Sequence, residues 1–383
     1  MFYFGIEHEV AFLNQEGKFA DFSCTKFAEF NQIIEQLPIY PNDSSQLRVG
    51  DAGIRKKRWY IEGFERFADS GKLIDCVPKG IEIRTIIHSD IQSTISELSE
   101  SFHLLCDVAA QFGFSPVLVS FNPYHTVYEP DPPLTDYEIR QLQTDPEEQT
   151  VNIHMVTYGP DLNISVADLP IERVIDIGRK LTYYSPYIVP LSYSSPFYKG
   201  ELWQGLSVRT FIRTGKRPAT LVFVEKQEQL IKSVPSLTKI ARIPAEVGRI
   251  EFKAFDSCDD FSMYAALLAL LKGLILDQSL MGRATVPDAA LHQLSAQQGF
   301  DNEEICAISE ACSLRETASQ VLQAAEAALG DDPDVHLLAP LKILLQTQRT
   351  PAHELIEAFK RVGTIPQVLK QTYLREDVLI TGN

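Results

Sequence analysis

The first segment of the chain, Phe2–Leu13, is a run of mostly apolar residues with polar residues only at positions 7–9, and a turn-like sequence follows it at residues 14–17; this pattern predicts a β-strand. Its aromatic and branched side chains favour the same assignment. Side chains two residues apart point to the same face of a strand, so Glu7 and Glu9 should lie side by side, about 7 Å apart along the backbone. Two neighbouring carboxylates either face water or share a cation, and this segment taken alone favours water.

Four later segments alternate residues of different character on two faces, at residues 78–87, 161–166, 205–213 and 248–256. Their polar faces carry Glu82 and Arg84; Asp161, Asn163 and Ser165; Ser207, Arg209 and Arg213; and Arg249, Glu251 and Lys253. Five such strands predict a sheet whose polar faces together line a concave basin. Because carboxylates alternate with arginines there, we expect the basin to hold metal ions and an anionic substrate.

Segments with helical spacing of apolar residues separate the predicted strands and follow them. They span residues 25–37, 93–112, 170–181, 261–280, 302–329 and 339–373. Further strands are expected at 59–67, 116–121 and 151–158, and residues 126–148, rich in Pro, Asp and Glu, predict a long surface loop or lid. The expected fold class is α+β: an antiparallel sheet with helices on one face and a polar active-site basin on the other, followed by a helical C-terminal region.

Composition narrows the function classes. The 383-residue chain has a formal net charge of −16 at pH 7. An acidic surface repels nucleic acid and anionic membranes, so neither is expected as a partner. Six scattered cysteines without a CxxC pair are typical of reduced thiols. With no signal peptide and no apolar run long enough to span a membrane, we expect a cytoplasmic protein.

Sequence motifs for other enzyme classes, and single reactive residues, add little to the functional prediction. The chain has no Walker A sequence, no GxGxxG and no HExxH. His8 should point into the core, opposite Glu7 and Glu9, whereas His154 is expected on a strand at the edge of the basin with its role open. Cys258 has no histidine at a fixed spacing and is expected to be a buried thiol. The basic run at 55–58 predicts a solvated turn, with a phosphate contact as the alternative.

Four motifs in order resemble the type 2 glutamate–cysteine ligase family. Residues 5–9 (GIEHE) resemble its G-[IV]-E-x-E opening, and residues 80–85 (GIEIRT) look like its second strand, with a metal-site glutamate. Residues 194–197 (SSPF), followed by Gly200, Gly205, Ser207 and Arg209, are similar to its S-x-S-P-F…G…G-x-x-S-x-R segment. Residues 248–253 (GRIEFK) resemble its G-T-[VI]-E-[IV]-R strand. The resemblance spans roughly residues 1–280.

The resemblance implies an ATP-dependent carboxylate–amine ligase that forms an amide through an acyl phosphate. It implies a glutamine-synthetase-like catalytic domain over residues 1–280, with residues 281–383 as a helical extension packed on it. Glutamate and cysteine would be the substrates, which places the protein in glutathione biosynthesis, and ATP with Mg²⁺ or Mn²⁺ would be the cofactors. The implied metal ligands are Glu7, Glu9, Glu82, Glu251 and Asp161; the implied catalytic cations are Arg84, Arg209 and Lys253; and the implied nucleotide-binding residues are Ser207, Arg213 and Asn163.

Two departures from the family pattern keep other functions open. Asp161 and Asn163 stand where the family usually has the two histidines of an H-V-H strand, and Lys253 replaces a bidentate arginine with a point charge. One alternative is a ligand-binding or regulatory protein on the same scaffold, without turnover. Another is a metal-dependent amide hydrolase that uses no nucleotide. The role of the C-terminal helices and the formation of a homo-oligomer are also left open.

Overall fold

A mostly antiparallel sheet organises the protein. The computed structural model describes residues 1–43, 57–144, 148–300 and 313–371. The strands are β1 (Phe2–Leu13), β2 (Phe19–Ala20), β3 (Trp59–Phe67), β4 (Leu73–Arg84), β5 (Ser115–Val117), β6 (Pro160–Val166), β7 (Phe197–Tyr198), β8 (Glu201–Leu202), β9 (Thr220–Val224), β10 (Thr238–Ile240) and β11 (Ile250–Phe252). The main sheet runs in the order β10-β9-β11-β6-β1-β4-β3, and β7 pairs with β8 separately. Only the β10–β9 pair within it is parallel among the described pairings.

Strand β1 lies near the centre of the sheet and fixes the register of its neighbours. Glu7 lies opposite Arg84 of β4 on one side and opposite Asp161 of β6 on the other. Glu9 lies opposite Glu82 of β4. The far end of β1 pairs with β2 and β5. Residues opposite each other in a ladder project to the same face, so the register collects these polar side chains above β1.

Helices cover the aliphatic face of the sheet and continue past it. They are α1 (Phe27–Gln36), α2 (Ile91–Gln111), α3 (Asp136–Thr144), α4 (Val151–His154), α5 (Ile171–Ile188), α6 (Val208–Arg213), α7 (Ser262–Leu276), α8 (Ala289–Gln298), α9 (Leu314–Leu329), α10 (Ala339–Thr347) and α11 (Pro351–Val362). Short 3₁₀ turns lie at Glu148–Thr150, Val189–Ser192, Gln227–Gln229, Pro244–Glu246 and Pro333–Leu338. No helix in the described part of the chain is long and apolar enough to cross a membrane.

The core lies between the sheet and helices α2, α5 and α7. Ile6, Val10 and Phe12 of β1 are buried there, because alternate side chains of a strand leave opposite faces. Helix α7 is buried on all sides from Tyr264 through Leu274, which explains its continuous apolar sequence. Burying each of its leucines contributes roughly 1.5–3 kcal/mol. The expected architecture of one helical face and one polar face is therefore confirmed.

Two predicted strands are wrong. Residues 205–213 form a turn and helix α6, because the Ser207 hydroxyl accepts a hydrogen bond from the Thr210 amide and caps the helix. Alternation over so short a segment does not exclude a helix. The predicted strand at 151–158 begins with helix α4, which places His154 at a helix end. Strand β9, in turn, was not predicted, because it is buried on both faces and shows no alternation.

The expected long loop also needs correction. Residues 136–144 form helix α3, which is anchored to β3 by a buried ion pair between Glu138 and Arg66. Glu138 also accepts hydrogen bonds from the amides of Phe67 and Thr135, at 2.7 and 2.8 Å. Residues 145–147 lie outside the described part. Nine residues of the expected lid therefore form a docked helix.

The basic run at 55–58 is only partly described. Lys57 is buried, and its Nζ donates to the carbonyls of Ile34 and Leu37 at 2.5 and 2.6 Å, at the C-terminal end of α1. A cation there complements the helix dipole. The expectation of a solvated turn is therefore wrong for Lys57, and residues 55 and 56 lie outside the described part.

The C-terminal helices pack against the rest of the chain. Helix α9 lies along α7, and Gly273 permits the close approach: an added Cβ there would lie 2.6 Å from the carbonyl oxygen of Ala325. Lys272 pairs with Asp332 and Asp334 at 2.7 and 2.6 Å. Residues 301–312, within a predicted helix, lie outside the described part. The division of the chain at residue 280 stays a prediction.

Candidate active site

Carboxylates from several strands converge on the polar face above β1. Glu7 and Glu9 point away from the core, whereas Ile6, His8 and Val10 between and beside them are buried within it. The prediction that both acids share one face is therefore confirmed. Asp161 of β6 and Glu251 of β11 lie near Glu7, whereas Glu62 of β3 and His154 lie near Glu9, so the charged side chains form two clusters.

The first cluster, named here the β6 cluster, consists of Glu7, Asp161 and Glu251, whose carboxylate oxygens lie within 4.8 Å of one another. Two cations hold it together. The guanidinium of Arg249 lies 3.2 Å from both Glu7 and Glu251 and stacks 4.0 Å above the Phe223 ring.

Lys253 is the second cation of the β6 cluster. Its Nζ donates to Asp161 at 2.5 Å and contacts Glu251 directly. An ammonium therefore occupies a position between two carboxylates, where a metal ion would also be attracted. Three carboxylates with two cationic side chains carry a formal charge of about −1, so most of the repulsion within the cluster is already neutralised.

The second cluster, named the His154 cluster, consists of Glu9, Glu62 and His154, with ligand atoms again within 4.8 Å of one another. His154 Nε2 lies 2.7 Å from Glu62, and the buried Lys79 Nζ lies 2.6 Å from Glu9. Burial raises the pKa of Glu62, but the hydrogen bond and charge of His154 outweigh it and lower that pKa to about 2. Carboxylates and an imidazole together suit a divalent ion.

Glu82 lies opposite Glu9 in the ladder and belongs to neither cluster. It is buried, and its Oε1 accepts no hydrogen bond from the described residues. Burial, followed by the charges of Glu62, Glu7 and Glu9, raises the pKa of Glu82 well above its usual value. A buried carboxylate oxygen without a donor is costly, and a divalent cation would satisfy it. The donor set at the two clusters and Glu82 therefore fits Mg²⁺ or Mn²⁺.

A basin opens beside the β6 cluster, enclosing about 1210 Å³ of space, part of it open to solvent. Glu7, Glu251, Arg249 and Lys253 line its inner end, and Tyr3, Leu221, Phe223 and Ile243 line its apolar walls. Arg84 and Asn163 also line it. The mixture of apolar walls and cationic groups suits a ligand with a flat apolar part and anionic groups.

Two predicted site residues have clear positions in this basin. Arg84 is buried, stacks 4.5 Å from the Tyr60 ring and donates to the Lys57 carbonyl at 2.8 Å. Asn163 is buried, and its Oδ1 has no hydrogen-bond partner among the described residues.

The residues of the 205–213 segment lie elsewhere. Ser207 is fully buried, and its hydroxyl lies 3.1 Å from Asp256. Arg209 donates to the carbonyls of Lys253, Ala254 and Phe255 at 2.8–3.0 Å, which fixes the segment after β11. Arg213 lines a separate small cleft. The predicted common face for these three residues is wrong, since a helix turns successive side chains by about 100°.

Glu62, His154 and Lys79 contact the site, and of these only His154 was expected near it, at the edge of the basin. Glu62 lies on the predicted strand 59–67, which also carries Glu65 and Arg66, so its charge alone did not single it out. His154 and Lys79 are brought in by tertiary packing: Lys79 also donates to the carbonyls of His154 and Thr157, at 2.9 and 2.8 Å.

The remaining reactive residues behave as expected. His8 is fully buried and lies 2.8 Å from the Tyr264 hydroxyl, and burial lowers its pKa to about 4. Cys258 is fully buried, and burial raises its pKa well above the usual thiol value. The prediction that Cys258 is a buried thiol is therefore confirmed, and burial in the neutral form is expected to make it a poor nucleophile.

Comparison with known proteins finds relatives of this chain by sequence and by fold. The family model described as "Glutamate-cysteine ligase family 2" matches residues 3–331. A relative from Roseiflexus castenholzii named "Putative glutamate--cysteine ligase 2" is 24% identical over 66% of this chain and 70% of its own. A relative of the same name from Paracoccus denitrificans is 26% identical over 51% of this chain and 54% of its own.

Solved structures share the fold at low sequence identity. A bifunctional glutathione synthetase from Pasteurella multocida superposes with a TM-score of 0.61 at 12% identity, over 98% of this chain and 52% of that one. This chain therefore spans about half the length of that protein. A glutamate–cysteine ligase from Francisella tularensis in complex with AMP gives a TM-score of 0.58 at 11% identity, over 98% of this chain and 89% of the other.

Proposed function

Since this chain belongs to glutamate–cysteine ligase family 2 and is a ligase that forms C–N bonds, we propose that it joins a carboxylic acid to an amine at the expense of ATP. Glutamate is the proposed acid and cysteine the proposed amine. The observation that supports the proposal most directly is the convergence of five carboxylates from β1, β4, β6 and β11 on one face of the sheet.

The proposed reaction has two balanced steps. An oxygen of the substrate carboxylate forms a bond to the γ-phosphorus of ATP as the bond to ADP breaks, which gives an acyl phosphate and ADP. The amine nitrogen then attacks the acyl carbon and loses a proton, and inorganic phosphate leaves. Each step develops negative charge on phosphoryl oxygens, so cationic groups must be positioned beforehand.

The proposed metal ligands are Glu7, Glu9, Glu82, Glu251 and Asp161, as in the sequence analysis, joined now by Glu62 and His154. Bound Mg²⁺ or Mn²⁺ would neutralise the phosphates of ATP and polarise the transferred phosphoryl group. The ligand atoms of each cluster lie within 4.8 Å of one another, and the register of β1 with β6 and of β6 with β11 brings Glu7, Asp161 and Glu251 together.

Cationic side chains supply the rest of the proposed machinery. Arg84, Arg249 and Lys253 line the basin and can contact phosphoryl oxygens there. Asn163, with an unused buried carbonyl oxygen, is proposed to accept a hydrogen bond from the nucleotide. For Arg209 and Ser207 we propose a positioning role, because their polar atoms already hold residues 253–256 in place.

The test is the release of ADP with Mg²⁺ across a panel of amino-acid pairs. We expect ADP release that requires both an acid and an amine. We expect Glu7→Gln to reduce the rate of ADP release at least 100-fold. This factor corresponds to about 2.7 kcal/mol of transition-state stabilisation, a modest part of what a metal ion and its ligands supply. The matched control is Glu16→Gln, which changes an exposed glutamate outside the basin. Full activity of Glu7→Gln would contradict the metal assignment, and no ADP release with any pair would contradict the ligase proposal.

One observation favours a second candidate, a ligand-binding protein without turnover. Lys253 and Arg249 already neutralise most of the β6 cluster, which reduces its attraction for a metal ion. Such a protein would be stabilised against unfolding by ATP with Mg²⁺ yet would never release ADP. Thermal unfolding with nucleotide, measured beside the ADP assay, separates the two candidates.

A further inference from the structure

The guanidinium of Arg249 lies where the basin meets the β6 cluster. Arg249 directly precedes β11, and its side chain lines the basin. Its Nη1 donates a hydrogen bond to Glu7 at 3.2 Å, and its Nη2 lies 3.2 Å from Glu251. Arg249 therefore bridges two of the proposed metal ligands, one from β1 and one from β11. The family motif has threonine at this position, so the bridge is a departure from that motif.

The contacts of Arg249 leave part of its hydrogen-bonding capacity unused. Both distances exceed the about 2.7–2.9 Å that is usual for hydrogen bonds between charged groups. Its Nη2 lies 3.6 Å from Glu246, and its buried Nε has no hydrogen-bond partner among the described residues. A phosphoryl group can accept hydrogen bonds from two N–H groups of one guanidinium at once. A phosphoryl group in the basin can therefore compete with the carboxylates for Arg249.

Arg249 is also accessible, unlike the cation of the His154 cluster. The side chain of Arg249 is 20% exposed and faces the basin. Lys79, by contrast, is fully buried, and its Nζ donates to Glu9 and to the carbonyls of His154 and Thr157 at 2.6–2.9 Å. A ligand in the basin can therefore reach Arg249, whereas three short hydrogen bonds fix Lys79 in place.

The guanidinium is held by charge and by an aromatic ring. Burial alone would lower the pKa of Arg249, but the charges of Glu251, Glu7 and Glu246 outweigh burial and raise that pKa above its usual value. The guanidinium carbon also lies 4.0 Å from the centre of the Phe223 ring, where a cation is attracted. Arg249 can therefore release the two carboxylates only by moving, and not by losing its proton.

A metal ion and Arg249 compete for the same two carboxylates. While the guanidinium bridges Glu7 and Glu251, a divalent ion meets oxygens that are already paired with a cation. When the guanidinium turns to another anion, these oxygens attract a divalent ion more strongly. Binding of a phosphoryl group to Arg249 and binding of a metal ion to the carboxylates should therefore favour each other.

We propose that Arg249 is a displaceable counter-ion that makes metal binding at the β6 cluster depend on the nucleotide. Without nucleotide, Arg249 stays between Glu7 and Glu251 and weakens the binding of a divalent ion there. The phosphates of a nucleotide in the basin take up the guanidinium and release both carboxylates to the metal. The inference rests on the proposed function, because it takes the anion in the basin to be a nucleotide. Coupling between two ligands is reciprocal, so the metal strengthens nucleotide binding by the same factor.

The experiment measures each ligand in the absence of the other. Binding of Mn²⁺ to the nucleotide-free protein is followed by electron paramagnetic resonance of free Mn²⁺. Binding of a non-hydrolysable ATP analogue is followed by calorimetry in the presence of EDTA. The first variant is Arg249→Met, which removes the charge. Its control is Arg173→Met on α5, whose side chain is 59% exposed.

A second variant, Phe223→Leu, removes the ring beneath the guanidinium and leaves every charge in place. Its control is Phe114→Leu, another buried ring of the core outside the basin. Phe223→Leu keeps an apolar side chain at a buried position, so it is expected to fold and decides the question if Arg249→Met does not. Thermal unfolding of each variant reports whether it is folded.

We expect Arg249→Met to bind Mn²⁺ at least tenfold more tightly than the wild type and to bind the analogue at least tenfold more weakly. These opposite shifts are the decisive result, because a merely structural role of Arg249 would weaken both. We expect Phe223→Leu to bind Mn²⁺ about threefold more tightly, since a cation–π contact of an exposed or half-buried pair is modest. Both control variants should bind both ligands as the wild type does.

The proposal is overturned if the folded variants bind Mn²⁺ as the wild type does, or more weakly. It is also overturned if, without metal, the analogue binds wild type and Arg249→Met equally or binds neither.

Failure of this proposal and failure of the ligase function give different results. Opposite shifts in Mn²⁺ and analogue binding, without ADP release from any acid and amine, contradict the ligase function and leave the role of Arg249 in place. ADP release by the wild type, together with unchanged Mn²⁺ binding in Arg249→Met, contradicts the role of Arg249 and leaves the ligase function in place.

Discussion

Lys253 shows how one side chain can set the affinity of a site for metal ions. Its ammonium contacts both Asp161 and Glu251, so a divalent ion that binds these carboxylates must displace it or share them with it. An arginine, the residue usual in the family motif, would place a planar fork there instead of a compact charge. The substitution at 253 therefore bears on metal binding and on phosphate contact together.

At this scale we expect Lys253→Met to bind Mn²⁺ more tightly than the wild type, by about tenfold, which is ~1.4 kcal/mol. Without the ammonium, the carboxylates of Asp161 and Glu251 have one cation fewer that competes with Mn²⁺ for them. Electron paramagnetic resonance of free Mn²⁺ measures the affinity without any need for activity. Lys18→Met, at a position exposed to solvent, serves as the control. Weaker binding by Lys253→Met would mean that the lysine organises the carboxylates instead of competing with the metal.

At the scale of elements, helix α3 shows how a segment read as a loop acquires structure. Its polar sequence has no apolar stripe, and its anchor is the ion pair between Glu138 and the distant Arg66. Burial raises the pKa of Glu138, but hydrogen bonds from Arg66 and from backbone amides outweigh it and hold that pKa below its usual value. The ionised form is therefore favoured in the folded state.

This lowered pKa predicts a pH dependence. A carboxyl with a depressed folded-state pKa contributes stability above its unfolded pKa, and that contribution is lost as the pH falls through the folded-state value. We expect Glu138→Gln to lower the free energy of unfolding by about 3 kcal/mol at pH 7, since one partner of a buried ion pair is left uncompensated. Urea unfolding should show the difference in unfolding free energy between Glu138→Gln and the wild type narrowing as the pH falls below the ordinary glutamate pKa of about 4.3, toward the lowered folded-state value. A gap independent of pH would contradict the ion-pair account.

At the scale of the whole molecule, sequence reasoning succeeded where local pattern and tertiary structure agree. The strand Phe2–Leu13, the shared face of Glu7 and Glu9, the buried helix α7 and the fold class are confirmed, and so is the family resemblance. The prediction was wrong at residues 205–213, where a capping serine starts a helix although the sequence alternates. Strand β9 was missed because it has no polar face. His154 and Lys79 enter the site through tertiary packing, which no spacing in the sequence reports.

The contact between α7 and α9 tests how far the C-terminal helices share in one cooperative fold. Gly273→Val would force a side chain against the backbone of Ala325, so α9 must move. We expect a loss of roughly 1–3 kcal/mol, typical of overpacking. Ala327→Val, at an exposed position of α9, makes the same kind of change without the contact. Calorimetry should show one transition, shifted as a whole; a second, early transition would indicate that residues 281–383 unfold separately.

The central position of β1 also bears on synthesis of the protein at the ribosome. One of its sheet neighbours, β4, ends at Arg84, whereas the other, β6, ends only at Val166. At about 5–20 residues per second, β6 follows β1 by roughly 8 to 30 seconds. During that interval the edge of β1 that pairs with β6 stays open in the nascent chain. Chaperones that shield nascent strands should therefore raise the yield of soluble protein, more than they would for a fold with sequential pairing.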